Sequence, residues 1–183
     1  MPDNIKEREW QYMKKILVTY SSKTGNTKKL AEGIFEGLGE MDKTICPISE
    51  VKALDPYDIV LVGYWVDKGG PNSEAAEFLK TIQNKKVGIF ATLAFWPDSQ
   101  HGYDSVLNGE KLVKENNHVI GKYICQGKLD EKIIEVFEKM PEGNPHRPDS
   151  EKRKRYKISA NHPSKADIAV AAEMFCERIE ADV

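Results

Sequence analysis

The chain has 183 residues, of which 40% are apolar and 31% are charged, and its formal net charge is −2. These values predict one soluble globular domain with a full core, and the near-neutral charge gives no indication of a nucleic-acid partner. No apolar run approaches the roughly 18 residues of a membrane span, and the three scattered cysteines predict neither a disulfide framework nor a metal site.

The start of the chain, residues 1–13, is mixed in charge and lacks the apolar centre of a secretion signal. We therefore expect an N-terminal extension over 1–13, a single domain over 14–183 and a cytoplasmic location, which the few cysteines also favour. Cys46, Cys125 and Cys176 are expected to be small core residues rather than nucleophiles.

A short apolar run at residues 16–20 predicts the first strand, and a turn rich in hydroxyl and amide groups follows it directly. The turn consists of Ser21, Ser22, Lys23, Thr24, Gly25, Asn26 and Thr27. A helical pattern comes next, with apolar residues between Leu30 and Leu38 on one face. The first turn of a helix leaves backbone N–H groups unpaired at the positive end of the helix dipole. The sequence therefore predicts that this turn binds an anion such as phosphate.

Two further strands are predicted in the first half of the chain. Residues 44–48 form the second candidate, at a sheet edge because Pro47 lacks a backbone N–H group. Residues 59–62 form the third, a continuous apolar run typical of a parallel strand with helices on both faces. We predict a loop at residues 63–72, which contain aromatic side chains and three glycines, and then a helix.

The second half of the chain continues this alternation. A fourth strand is predicted at 86–92, followed by an aromatic loop at 93–102 and a helix with Tyr103 facing inward. A fifth strand is predicted at 119–125, and the helix after it is expected to bury Val136.

The tail from residue 141 is expected to cross the surface and then form a last helix. Residues 141–148 contain three prolines and a glycine, which predicts an irregular backbone. Ser164 and Asp167 form a capping box at the start of the last helix. Residues 146–157 carry a charge of +4, whereas the rest of the chain sums to −6. Such a run is either a solvated face or a docking patch near an anionic cofactor.

Strands and helices thus alternate five times, which predicts an open, parallel, doubly wound α/β sheet. Ligands of such sheets bind beyond the carboxyl ends of the strands. Three loops leave that edge: the hydroxyl-rich turn, the loop with Tyr64 and Trp65, and the loop with Phe95 and Trp96. The pattern suits a ligand with a phosphate at one end and a flat ring at the other.

At these residues the sequence resembles the flavodoxin family. The turn SSKTGNT matches the phosphate loop T/S-x-T-G-x-T of flavodoxins, after a matching strand KKILVTY, and DPYDIVLVG precedes the third-strand loop. The resemblance extends from about residue 14 to at least residue 126, and the tail at about 141–183 resembles the C-terminal extension of a group of small flavodoxin-like proteins. It implies FMN as the cofactor and a three-layer α/β/α fold with five parallel strands in the order 2-1-3-4-5.

The resemblance also implies which residues contact the FMN. Ser22, Thr24, Asn26 and Thr27 are expected to donate to the phosphate and Gly25 to permit a close turn, with Ser21 and Lys23 assisting through their backbone N–H groups. Trp65 is the first expected stacking partner of the flavin ring, and Trp96 or Phe95 is the second. The remaining expected contacts are Tyr64, Val66, Asp67, Lys68, Gly69, Thr92 and Leu93. No catalytic side chain and no metal ligand is expected.

Two residues depart from the flavodoxin pattern. Val66 stands where the family often has a glycine after the aromatic residue, and Lys68 places a positive charge where flavodoxins usually keep acidic surroundings. Charge near the flavin ring tunes its reduction potential. We therefore expect a less negative potential for the fully reduced cofactor than in acidic flavodoxins.

Other proteins that use this architecture require residues that the chain lacks. No Cys-x5-Arg loop of a low-mass tyrosine phosphatase is present, and Gly63 and Tyr64 stand where a response regulator has its phosphorylated aspartate. Neither GxxxxGK[ST] nor GxGxxG follows the first strand, which disfavours tightly held nucleoside triphosphates and NAD.

Two functions remain open. The chain is expected to be an FMN-binding electron-transfer protein that carries electrons to or from a partner reductase, as a monomer or weak homodimer. The alternative is an FMN-dependent NAD(P)H oxidoreductase that acts on quinones or similar small acceptors. The first is favoured because no dedicated nicotinamide-binding motif is present and 183 residues leave little room for a substrate domain.

Overall fold

The computed structural model describes residues 14–181, so the extension expected at 1–13 lies outside the described residues. In chain order the elements are β1 (Ile16–Tyr20), α1 (Asn26–Gly37), β2 (Lys43–Pro47), a short 3-10 helix (Ile48–Glu50), β3 (Ile59–Asp67), β4 (Gly70–Pro71), α2 (Ser73–Thr81), β5 (Lys86–Leu93), α3 (Gln100–Glu110), β6 (His118–Gln126), α4 (Glu131–Glu138), α5 (Ser150–Ser159) and α6 (Lys165–Ala181).

The five long strands are all parallel and lie in the order β2-β1-β3-β5-β6, while the two-residue strand β4 pairs antiparallel with the end of β3. This order confirms the doubly wound 2-1-3-4-5 sheet that the sequence predicts. β1 lies between β2 and β3, and the order in which strands are added to the sheet reverses at β1. The carboxyl ends of β1 and β3 therefore flank the point of reversal, where ligands of such folds bind.

Two apolar layers cover the sheet. Val18 and Phe90 contribute to the face that packs against α1 and α6, and Phe175 of α6 meets Phe90 edge to face with 6.3 Å between the ring centres. Leu17, the neighbour of Val18 on β1, and Val60 of β3 face the opposite layer with α2 and α3. Alternate strand residues point to opposite faces, which explains why both strands read as continuous apolar runs in the sequence.

Three local expectations are wrong. β3 extends to Asp67 because Trp65 still pairs with β5 and Val66 pairs with Pro71, so the predicted loop begins later than expected. Tyr103 and Val136, expected in the core, are 57% and 56% exposed. Both lie on amphipathic helices. Neighbouring residues of a helix point about 100° apart, so an error of one residue in assigning the buried face places an exposed side chain in the core.

The tail contains a helix, α5, that the sequence pattern does not reveal. The Asp149 side chain caps it by accepting a 2.8 Å hydrogen bond from the Lys152 backbone N–H. α5 has almost no apolar stripe, which explains why periodicity fails to detect it. The capping box of α6 is confirmed: the Asp167 carboxylate accepts from the Ser164 backbone at 2.6 Å, and Ser164 Oγ accepts from the Asp167 backbone at 3.2 Å.

Candidate functional site

A cleft with about 560 Å³ of empty space, part of it open solvent, lies at the carboxyl edge of the sheet. We call it the main cleft. It lies between the β1–α1 turn, the end of β3, the end of β5 and the loop after β6. The residues that line it are Lys23, Thr24, Asn26, Trp65, Val66, Thr92, Leu93, Ala94, Gly127, Lys128, Leu129, Asp130 and Ile133.

The β1–α1 turn presents a row of backbone donors. The six N–H groups of residues 22–27 donate to no acceptor within residues 14–181, whereas the next one, at Lys28, donates to Ser22 Oγ at 3.2 Å. Gly25 occupies the N-cap of α1 in a left-handed conformation, φ 90°. A left-handed residue at this point turns successive N–H groups toward one side, which creates a concave anion site at the helix start.

Ser21 does not belong to this donor row. Its N–H donates to the Gly63 carbonyl at 2.9 Å, and its hydroxyl donates to Glu74 at 2.5 Å while accepting from Asn72 at 2.8 Å. These bonds tie β1 to the start of α2. The phosphate contact expected of Ser21 is therefore corrected: both of its donors are already used within the fold.

Asn26 and Thr27 fix the turn to its surroundings. The Asn26 side-chain amide donates to the Lys128 carbonyl at 2.8 Å and to Thr24 Oγ1 at 3.1 Å. Thr27 is buried, and its hydroxyl shares a 3.0 Å hydrogen bond with that of Thr92. The side chains of Asn26 and Thr27 thus hold the turn in place, and Thr24 and Asn26 line the main cleft.

Trp65 forms a wall of the main cleft at the end of β3. Its ring is half-buried, and Lys23 Nζ lies 5.3 Å from the ring centre in a cation–π contact. Tyr64 points to the opposite face of the sheet, because neighbouring strand residues alternate. The Tyr64 ring is fully buried and its hydroxyl donates to the Ser105 carbonyl at 2.9 Å, so the expected contact of this side chain with a cofactor is corrected.

The segment after Trp65 is a tight hairpin. Asp67 pairs with Gly70, and the two residues between them, Lys68 and Gly69, have φ angles of 49° and 81°. Two positive φ angles are the mark of the type I′ turn that suits a two-residue hairpin. The Asn108 side chain anchors the tip by donating to the Gly69 carbonyl at 2.8 Å. Among the described residues, Asp67, Lys68 and Gly69 are not part of the lining of the main cleft.

A second cleft, which we call the side cleft, adjoins the main cleft and shares four of its lining residues. The shared residues are Val66, Leu93, Ala94 and Leu129. The remaining lining residues are Phe95, His101, Phe137, Pro145, His146, Lys152, Arg155 and Tyr156. Phe95 therefore faces the side cleft, whereas Trp96 is 38% exposed and lines neither cleft.

Two segments that line these clefts are not predicted from the sequence. The loop after β6 places Gly127 to Asp130 on the main cleft, and α5 places Arg155 and Tyr156 on the side cleft. The loop after β6 could have been predicted to line the cleft, because β6 ends at the same sheet edge as the other parallel strands. For α5 the only signal was the positive charge of residues 146–157, because the helix lacks apolar periodicity.

The cysteines are not poised for chemistry. Burial raises the pKa of the Cys125 thiol well above its ordinary value, and burial also raises the pKa of Cys46 and of Cys176. All three therefore remain protonated and weakly nucleophilic near neutral pH. Within residues 14–181, no cluster of His, Cys, Asp or Glu side chains has the arrangement of a metal site, and no helix has the length and apolar character to cross a membrane.

Comparisons with known proteins agree with this geometry. The family model of the flavodoxin domain matches residues 17–176. A flavodoxin-like domain-containing protein, BilS, of Clostridioides difficile strain CD3 is 32% identical over 170 residues, which cover 90% of this chain and 96% of the relative. A protein of the same name from Clostridium symbiosum strain WAL-14163 is 27% identical over 187 residues, covering 91% of this chain and 97% of the relative.

Solved structures show the same fold. A flavodoxin from the domain Archaea superposes with a TM-score of 0.60 at 15% identity, over 91% of this chain and 97% of that protein. A flavodoxin of Streptococcus pneumoniae TIGR4 gives a TM-score of 0.59 at 18% identity, over 92% of this chain and 99% of that protein. At these identities the likeness concerns the fold.

Proposed function

This chain belongs to the flavodoxin domain family, and on that premise we propose that it binds FMN and carries electrons to or from a partner reductase. The proposal includes a cytoplasmic location, redox proteins as partners and a monomeric or weakly dimeric state. It does not assign a catalytic acid or base to any side chain.

The unpaired backbone donors of residues 22–27 support this proposal most strongly. Several N–H groups that converge at a helix start can hold a phosphate dianion without an arginine. The hydroxyls of Ser22 and Thr24 add donors beside them, and Gly25 lets the backbone approach the ligand closely. The residues present therefore fit the 5′-phosphate of FMN.

The rest of the main cleft fits the remainder of FMN. Trp65 and Val66 on one side and Leu93 and Ala94 on the other would bound the flavin ring, and Thr92 would lie beside the chain that links ring and phosphate. These largely apolar walls orient a planar ring and exclude water from it. FMN, when bound, supplies the reversible uptake of electrons, and the protein sets its position and surroundings.

Anaerobic mixing with NADPH tests the electron-transfer role. We expect the purified protein to bind FMN and to unfold at a higher temperature in its presence, because a ligand at 100 times its Kd stabilises the folded state by about 2.7 kcal/mol. We expect NADPH alone to leave the yellow absorbance of the bound flavin unchanged, whereas dithionite bleaches it. Absence of FMN binding would refute the proposal.

One observation favours a second function, that of an FMN-dependent NAD(P)H oxidoreductase acting on quinones or similar small acceptors. The side cleft adjoins the main cleft and has aromatic walls, so it offers space for a second planar molecule. Rapid bleaching of the flavin by NADPH in the same experiment would establish this function in place of the first.

A further inference from the structure

Arg155 is a half-buried cation that forms no ion pair among the described residues, although the Asp149 carboxylate is near enough to interact with it electrostatically. Its Nε atom is buried and has no hydrogen-bond partner among the described residues, and no ion pair to its guanidinium is found in the same part of the chain. Arg153, on the same helix, instead forms two bonds to Glu138 at 2.7 and 2.8 Å. A buried donor that lacks an acceptor is costly, which suggests that an acceptor from outside the chain completes the Arg155 site.

Aromatic rings hold the Arg155 guanidinium in place. Its central carbon lies 4.6 Å from the centre of the Phe95 ring and 5.7 Å from that of Tyr156. These cation–π contacts fix the cation at the wall of the side cleft without neutralising its charge. Burial raises the pKa of the Tyr156 phenol, so this ring remains neutral and adds no competing negative charge.

Three further rings and a second cation complete the side cleft. His101 meets Phe95 edge to face with 5.9 Å between ring centres, and the His146 ring stacks on Phe137 at 5.5 Å. Lys152 also lines the cleft, and no aspartate or glutamate is among its described lining residues. The cleft therefore combines flat apolar surfaces with positive charge, an arrangement that suits a planar molecule bearing an anionic group.

We propose that the side cleft binds a small, planar, conjugated carboxylate, with the carboxylate on Arg155 and the conjugated system between the aromatic walls. This inference goes beyond the proposed function and rests on it in one respect, that the flavin fills the neighbouring main cleft. The shared residues Val66 and Leu93 then place the carboxylate ligand beside the flavin. The ligand is a second molecule and not part of the FMN.

Calorimetric titration of the FMN-loaded protein with 2-naphthoate tests the inference, with uncharged 2-naphthamide as the matched ligand of the same shape. We expect the amide to bind about tenfold more weakly than the carboxylate, because it lacks the charge-assisted bonds to the guanidinium. We expect Arg155→Gln to weaken 2-naphthoate binding by about tenfold and to remove the discrimination between the two ligands.

Lys154→Gln is the matched control, because it removes the same charge from the exposed side of α5. We expect it to bind 2-naphthoate as the wild type does. Thermal unfolding of each variant identifies any loss of folding, and Arg155→Lys, which keeps the charge, is expected to restore part of the discrimination. Equal affinity of wild type and Arg155→Gln for 2-naphthoate would overturn the inference.

The absorbance of bound flavin, recorded in the same samples, separates this inference from the proposed function. If wild type takes up no FMN but still discriminates between the two ligands, the proposed cofactor is refuted and the anion site stands. If Arg155→Gln loses FMN itself, or if FMN abolishes 2-naphthoate binding, Arg155 belongs to the flavin site and the second-ligand proposal is refuted.

Discussion

The two ends of the binding surface are built in different ways. The phosphate end, where we propose that the FMN phosphate binds, is one turn, residues 22–27, and relies on backbone N–H groups. The ring end is assembled from the β3–β4 hairpin, the loop after β5, the loop after β6 and α5, and relies on side chains. A backbone site tolerates many sequences but needs one conformation, whereas a side-chain site tolerates small movements but depends on residue identity. The two ends should therefore respond to different kinds of substitution.

The largest effect is expected from a change of backbone conformation at the phosphate end. Gly25 has a φ of +90°, and a Cβ there would meet no atom within 4 Å, so Gly25→Ala introduces backbone strain and no clash. We expect FMN to bind about thirtyfold more weakly, since a strain of about 2 kcal/mol must be overcome to present the N–H groups. Flavin fluorescence titration measures the change.

Gly39→Ala is the control for this substitution. Gly39 also has a positive φ, +58°, with open space around it, but it lies at the far end of α1. The same strain there should lower stability and leave FMN affinity unaltered. A similar loss of affinity in both variants would contradict the assignment of Gly25 to the phosphate site.

At the ring end the identity of one aromatic residue should matter. Trp65→Ala removes a wall of the main cleft, and we expect FMN affinity to fall by about tenfold, from lost stacking and lost apolar burial. Trp96→Ala should change the affinity little, because Trp96 lines neither cleft among the described residues. An equal or greater loss in Trp96→Ala would reverse this assignment.

A third substitution tests whether the tail supports the phosphate end. Asp167 holds residues 162–164, whose carbonyls accept from Lys128 N at 3.1 Å and from Lys29 Nζ at 2.6 Å. Asp167→Asn should lower the free energy of unfolding by about 1 kcal/mol, because a neutral amide oxygen accepts from the Ser164 N–H and His162 more weakly than a carboxylate does. Urea unfolding at neutral pH measures it, and FMN affinity should change less than the stability does.

The same carboxylate has a predictable pH dependence. Burial raises the pKa of Asp167, but hydrogen bonds from Ser164 and His162 lower it more, so the pKa lies below its ordinary value. A lowered pKa adds stability above the ordinary value of about 3.9, and this stability is lost as the pH falls through the lowered pKa. The stability difference between wild type and Asp167→Asn should therefore shrink in acid, and a constant difference would contradict the ionised capping box.

The smallest effect is expected from charge at the hairpin tip. Lys68→Glu reverses one exposed charge near the ring end, and we expect the two-electron potential of the bound flavin to fall by about 20 mV. Lys114→Glu makes the same change at the opposite edge of the sheet and should leave the potential unchanged. Equal shifts in both variants would indicate that only net charge matters.

The sequence predicted the fold and the strand–turn–helix structure around residues 21–27 well, because both depend on local patterns. The run at 16–20 and the turn after it contain the strand, the helix start and the donors in consecutive residues. The ring end was predicted only in part. Whether Tyr64 or Trp65 faces the cleft depends on where β3 ends, and that is decided by its pairing with β4 and β5 rather than by propensity.

The sequence indicated the positive charge of the segment that contains α5, but neither the helix nor its contacts. Its Arg155 reaches Phe95 from a segment about 60 residues farther along the chain, and nothing in the local pattern indicates that contact. The basic stretch at residues 146–157 indicated a concentration of positive charge but not the role of each cation. Its individual cations have different roles in the structure: Arg153 pairs with Glu138, whereas Arg155 stacks on aromatic rings.

Comparison of FMN with riboflavin tests the central claim most directly. The two molecules share the flavin ring and differ in the 5′-phosphate, so the ratio of their affinities isolates the contribution of the turn at residues 22–27. We predict that FMN binds at least about a hundredfold more tightly to the wild type, as expected for several charge-assisted hydrogen bonds to a dianion, and that Gly25→Ala reduces this ratio. Equal affinities for FMN and riboflavin would contradict the account.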